Sequence, residues 1–186
     1  TLHGYLYQGE SIGGSSGAIY KEMIRETIKE HLRKETQLRA RGIKVLSLFF
    51  IDKVESFLGD GFNNIDANGQ FVQWFDELFR EEWLRAGNSE SEMPDPAELR
   101  VAYFPSTKTG ILKDTSGRAS DAELEARAYQ EIIANKELIL DRANPRAFIF
   151  SHSALKEGWD NPNVFQVGFL RHTRSELERR QQIGRG

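Results

Sequence analysis

Several short clusters in this 186-residue chain carry side chains able to hold phosphate and sugar. Ser151, His152 and Ser153 leave an apolar run with two hydroxyls and an imidazole, donors suited to gripping a phosphodiester without reading its bases. Farther on, Gly158 lets backbone approach a ligand closely, Asp160 can accept from a sugar hydroxyl or orient an arginine, and Asn161 with Pro162 forces a turn. The final QQIGRG places Gln181, Gly184 and Arg185 on a helix begun at Ser175 with Glu178 as its capping-box partner. A guanidinium just after a glycine could reach across a cleft and stabilise phosphoryl transfer. Asp52 and Lys53 directly follow another apolar run. Spacing alone leaves bland readings open. A tight strand connection uses the same residues around 151–162, and Arg179 and Arg180 beside Glu176 also read as a solvated helix face.

The elements that must position these groups follow from periodicity. Residues 45–51 are nearly continuous, β-rich and apolar, the pattern of a strand buried on both faces. Similar runs at 101–104, 147–150 and 164–170 predict three more strands, and 2–7 alternate enough for a short one. Tyr20, Ile24, Ile28 and Leu32 predict an amphipathic helix over 19–39. Ser120 and Glu123 form a capping box for a second helix, carried by Leu124, Ala128 and Ile132 to Leu140 and broken by Asn144 and Pro145. The segment 106–117 reads as a hairpin or ordered loop around Thr109 and Gly110. The glycine-rich stretch 11–17 reads as a flexible connection, because a phosphate loop needs Lys-Ser or Lys-Thr after its last glycine and Ala18, Ile19 and Tyr20 follow instead. Residues 57–98 are acidic, aromatic and turn-rich, with Phe71, Trp74, Phe75 and Leu78 on one helical face; they read as an insertion packed on the sheet, Trp74 and Trp83 serving packing rather than base stacking. Strands alternating with helices predict one α/β domain over 1–186, a mainly parallel sheet flanked by helices whose carboxyl edge faces ligand.

Composition narrows the function classes. With 39% hydrophobic and 28% charged residues the chain reads as a soluble globular domain, and no apolar run reaches the roughly 20 residues of a membrane span. The opening TLHGYLYQGE lacks the basic flank and apolar core of a signal peptide, so a bacterial cytoplasmic location is expected. Zero cysteines exclude disulfides and thiolate zinc sites, and His3, His31, His152 and His172 show no metal-binding spacing, so no metal site is expected from this chain alone. The net charge of −3 argues against coating nucleic acid by bulk charge but permits a local basic edge, provided by Arg171, Arg174, Arg179, Arg180 and Arg185 against Glu176 and Glu178.

Taken together, two of these clusters resemble motifs V and VI of the superfamily 2 helicases and translocases. Gly158, Trp159, Asp160, Asn161, Pro162, Asn163 and Val164 look like Gly-x-Asp-x-Pro-x-Val, and Gln181, Gln182, Ile183, Gly184 and Arg185 look like the start of Gln-x-x-Gly-Arg-x-x-Arg. GIKVLSLFFIDKV, KTGILKDTSG and SALKEGWDNPNVFQ are similar in particular to the Res subunit of type III restriction-modification enzymes, over most of the chain from about Ile19 and least at 57–96.

The resemblance implies a second RecA-like lobe of an ATP-dependent DNA translocase. It implies backbone contacts with double-stranded DNA at Asp52, Lys53, Ser151, His152 and Ser153, nucleotide contacts at Gly158, Asp160, Gln181, Gly184 and Arg185, and catalytic roles for Gln181 and Arg185. ATP and Mg²⁺ would be held mainly by a first RecA-like lobe upstream of Thr1, a nuclease would lie downstream, and a modification methyltransferase (Mod) subunit would be a partner. The second motif VI arginine would fall past Gly186, which leaves the finger role only partly assignable to Arg185. Two other classes compete. A helicase-like lobe serving only as a protein scaffold is disfavoured by the intact Gly158, Asp160 and Arg185; a dinucleotide-binding domain would need a Gly-x-Gly-x-x-Gly turn, which is absent.

Overall fold

A computed structural model of the chain describes residues 16–64, 66–105, 130, 135–152 and 161–170. Within these, the apolar runs become strands β1 (Leu46–Ile51), β2 (Arg100–Tyr103), β3 (Phe148–Ser151) and β4 (Val164–Leu170). They form one sheet in the order β2-β3-β1-β4, and every pairing is parallel. Helices α1 (Ser16–Leu38), α2 (Glu55–Leu58), α3 (Gln70–Arg85), α4 (Pro96–Leu99) and α5 (Lys136–Leu140) flank it. This is the mainly parallel α/β architecture that the strand pattern predicts, and it is consistent with the RecA-like type that the resemblance implies. The helix expected at 19–39 starts earlier than its apolar spacing suggests, at Ser16, and ends at Leu38. The expected strand at 2–7 and the loop at 106–117 lie outside the described residues; of the helix expected from Ser120 to Leu140, residues 120–129 and 131–134 also lie outside them, and Lys136–Leu140 is helical.

All six residues of β1 are buried, as a central parallel strand requires. Phe49 and Ile51 face α1 and α3, joining Ile24, Ile28, Phe75 and Phe79 in the larger core. Leu46, Leu48 and Phe50 face the other side with Val101, Ile149 and Ile139. Aromatic rings fill the helix-facing side: Phe49 stacks on Phe150 at 4.8 Å, and Phe75 meets Phe148 edge-on at 4.9 Å. The segment expected as an insertion thus supplies α3, whose inner face lies in the same core as the sheet. Trp74 and Trp83 pack against that core half-exposed, and Trp83 Nε1 donates to the Ser89 carbonyl at 2.8 Å. Gly168 on β4 leaves room for Phe49 and α1; a Cβ there would stand 2.8 Å from Phe49 Cδ1 and 3.4 Å from Thr27 Oγ1.

Polar contacts fix how the layers sit. Lys21 pairs with Glu77 at 2.9 Å and Arg25 with Glu81 at 2.7 Å, lacing α1 to α3. Glu82 is 2% exposed, and its carboxylate is compensated by Arg25 and Arg85. Asn64 stands in for a strand beside β2: its Oδ1 accepts from Ala102 N at 2.6 Å while its Nδ2 donates to the Ala102 carbonyl at 3.1 Å. In the sheet interior His31 Nδ1 lies 2.8 Å from Ser47 Oγ, which donates to Gln166 Oε1 at 2.9 Å. This chain joins α1, β1 and β4 where the β1–β4 register shifts between Leu46 and Ser47.

Burial, reinforced by the charge of Lys44, lowers the His31 pKa to about 3. The unfolded chain therefore binds a proton below about 6.5 that the folded chain refuses, so stability falls as pH drops from 6.5 toward 3. Urea unfolding is expected to show wild-type stability falling by about 2 kcal/mol on this account between pH 7 and 5. His31→Gln should remove most of that dependence; a pH profile unaltered by the substitution would refute the assignment.

Candidate functional site

Parallel pairing brings every strand out at one edge. The register aligns Phe50 and Tyr103 with Ser151, and Ile51 with Leu170, so Asp52 and Lys53 leave β1 beside His152 leaving β3. Adjacent strands lie about 4.8 Å apart, so these groups share one small patch of the carboxyl edge. Four of the sequence-predicted residues, Asp52, Lys53, Ser151 and His152, meet there. Asp52 and Lys53 are exposed, His152 is half-buried and Ser151 is fully buried. Ser153, Gly158, Asp160, Gln181, Gly184 and Arg185 lie outside the described residues.

Ser151 is the unusual member of the patch. Its hydroxyl is buried and has no hydrogen-bond partner among the described residues. Such a group costs free energy unless something satisfies it, which fits a donor or acceptor kept for an incoming ligand or an adjacent segment. Tyr20 enters this edge from α1; burial first, and the Asp52 charge second, raise its hydroxyl pKa. Helical spacing marks Tyr20 only as a packing residue, so its nearness to Asp52 was not readable from the sequence. Beside Lys53 a shallow depression of about 470 Å³ is lined by Ser56, Asp60, Gln70 and Gln73. Gln70 and Gln73 belong to the segment read as an insertion, and its amphipathic pattern gave no sign that its first turn borders Lys53.

The turn that ends the Gly158 to Pro162 cluster sits elsewhere. Asn161 is 1% exposed, its Oδ1 accepts from Asn163 N at 3.0 Å, and Asn163 Nδ2 donates to the Lys44 carbonyl at 2.8 Å. Lys44 precedes β1, so this end of the turn is moored at the amino edge of the sheet, opposite Asp52 and His152. A larger cavity of about 530 Å³ also opens on the amino edge, among His31, Lys44, Phe79, Trp83 and Arg142. Lys44 is committed there to the carbonyls of Asp141 and Asn144, at 2.8 and 2.6 Å, and burial lowers its pKa to about 8. Nothing in the sequence clusters points to that cavity. Among the described residues no group of three acidic or histidine side chains could hold a metal ion, and no helix is long and apolar enough to cross a membrane.

Comparison with known proteins gives the site its context. The chain is 38% identical over 169 residues to the type III restriction-modification enzyme EcoP15I Res subunit of Escherichia coli, covering 88% of this chain and 17% of that protein. It is 38% identical over 174 residues to the EcoPI Res subunit of Escherichia phage P1, again 88% and 17%. With the StyLTI Res subunit of Salmonella typhimurium it shares 29% over 201 residues, 94% of this chain and 20% of the relative. The chain thus spans a fifth or less of the length of these relatives. No family model matches it.

Ser151→Ala removes a buried hydroxyl that lacks a partner among the described residues. Stability in urea is expected to stay within about 0.5 kcal/mol of wild type or to rise, since no made hydrogen bond is lost. A loss above about 1 kcal/mol would show that the hydroxyl is already engaged in the ligand-free protein.

Proposed function

From a chain that is a homologue of one stretch of the type III restriction-modification Res subunits, we propose the second RecA-like lobe of an ATP-dependent DNA translocase within such a subunit. The observation that carries this reading is the gathering of Asp52, Lys53, Ser151 and His152 at the carboxyl edge of an all-parallel sheet, the edge at which open α/β sheets take their ligands. The Lys53 ammonium, the His152 imidazole and the hydroxyls of Ser151 and Ser153 are the groups that grip the sugar-phosphate backbone. Such contacts position DNA without reading its sequence.

ATP would supply the free energy for movement, and Mg²⁺ would be held with it mainly by a first lobe. On this side of the cleft Gly158 and Asp160 border the nucleotide, Gln181 and Gly184 line it, and Arg185 supplies a cation to the transferring phosphoryl group. These assignments rest on the motif resemblance. Closing the cleft brings the two halves together, which couples DNA grip to the state of the nucleotide. Double-stranded DNA, the first lobe and the Mod methyltransferase subunit are the partners this role requires. The enzymatic activity belongs to the whole restriction enzyme, and the isolated chain is inactive.

Three measurements test the reading. In the full-length subunit, Arg185→Ala is expected to lower kcat for ATP hydrolysis by roughly 10³-fold while the nucleotide Kd stays nearly unchanged. Unaltered turnover would remove Arg185 from the chemistry, and ATPase activity by the 186-residue chain alone at the subunit's rate would remove the half-cleft model. Separately, Lys53→Ala should weaken DNA binding alike on all sequences and reduce the slope of log K against log salt by about 0.9. An unchanged slope would place Lys53 away from phosphate.

A further inference from the structure

The cavity of about 530 Å³ at the amino edge of the sheet falls within the size range of small-molecule sites. It opens where the second halves of α1 and α3 diverge from the segments that lead into α4 and β3. Leu32, Phe79, Trp83, Leu99 and Phe148 give it an apolar, largely aromatic interior.

Polar groups meet this interior from two sides. His31 borders it while only 2% exposed. Ser47 gives its hydroxyl proton to Gln166 Oε1, so it accepts from His31 Nδ1–H, and the tautomer fixed in this way leaves a lone pair on Nε2. That nitrogen meets no donor among the described residues. At the rim stand Arg39, Lys44 and Arg142 against Glu35 and Glu92. Glu35 answers Arg39 at 3.8 Å. Lys44 bonds the neutral carbonyls of Asp141 and Asn144, and among the described residues neither Lys44 nor Arg142 has a carboxylate within ion-pair distance. Burial lowers the Lys44 pKa to about 8 even though Asp141 and Glu35 act against it from farther off. A half-buried ammonium in that state gains from an anion placed beside it.

We propose that this cavity binds a small aromatic anion, its planar ring held among the apolar walls with an N–H or O–H donor turned to His31 Nε2, and its charged group meeting Arg39 and Arg142 beside Lys44. Ring and charge answer separate observations. A wholly apolar guest would leave the imidazole lone pair and the Lys44 charge without partners. Inorganic phosphate would leave the aromatic interior unfilled, and a cationic guest would meet three cations against two carboxylates. The site lies at the edge opposite Asp52, Lys53 and His152, so it stands or falls independently of the translocase reading.

Two sources share this chemistry, nucleoside monophosphates and aromatic carboxylates. Titration calorimetry of the 186-residue chain with AMP and with indole-3-acetate separates them, adenosine and 3-methylindole serving as the uncharged counterparts. Expected is a Kd below about 1 mM for at least one of the two anions. For that anion, affinity should fall about tenfold or more in its uncharged counterpart, and as much in the double variant Arg39→Ala with Arg142→Ala. Both arginines are exposed, so the urea midpoint of the double variant should match wild type. Arg185→Ala should leave the affinity unchanged. Absence of binding by both anions below about 1 mM, or a smaller loss with the uncharged counterpart, overturns the proposal. So does binding that survives the double variant or is lost in Arg185→Ala, since either places the anion at another site.

Discussion

Burial of β1 on both faces, in the middle of a parallel sheet, is the constraint on which the other features depend. A strand so placed satisfies its backbone groups only through neighbours running the same way, here β3 and β4. Parallel neighbours need long crossovers, and the crossovers supply the helices that cover the faces. The strands then end together. The meeting of Asp52, Lys53, Ser151 and His152 at one edge is a consequence of strand direction, since residues separated by about a hundred positions reach the same patch with no sequence contact between them.

Against this apolar frame, the buried polar groups set alignment. The link from His31 through Ser47 to Gln166 crosses three elements at the point where the β1–β4 register slips, and burial, with the Lys44 charge, holds its imidazole neutral through the ordinary pH range. Glu82 has a similar role one layer up, where a carboxylate cut off from water needs both Arg25 and Arg85 and so fixes α1 relative to α3. Gly168 limits the distance between helix and sheet, since a single added carbon would press on Phe49. Stability and placement are thus carried by different residue classes.

How much of this was readable in the sequence varied with the kind of signal. β1 declares itself because a doubly buried strand is a continuous apolar run, and LSLFFI admits few other readings; the other three strands are shorter or mixed apolar runs that were legible by the same rule. The amphipathic pattern of α3 showed that one face is covered but not by what, so its share in the central core beside Phe148 and Phe150 became visible only in three dimensions. Asn64, Ser47 and Gln166 were silent, because a polar residue that bonds a distant backbone or side chain leaves no periodic trace. The strand-end positions of Asp52, Lys53, Ser151 and His152 were legible from their place after apolar runs. Tyr20 was hidden by belonging to a helix face that looked fully occupied with packing.

The Asn64 carboxamide has a meaning for how this architecture can grow. By matching both the N–H and the C=O of Ala102, a single side chain ends the sheet on the β2 flank as a strand would, without offering a fresh row of backbone groups beyond it. Among the described residues, then, the β2 flank offers no pairing at Ala102 to an added strand or to an extended peptide from another chain. The stop lies in a loop of modest length and not in the strands themselves, so exchanging that loop alone would let the same four strands be extended from this flank.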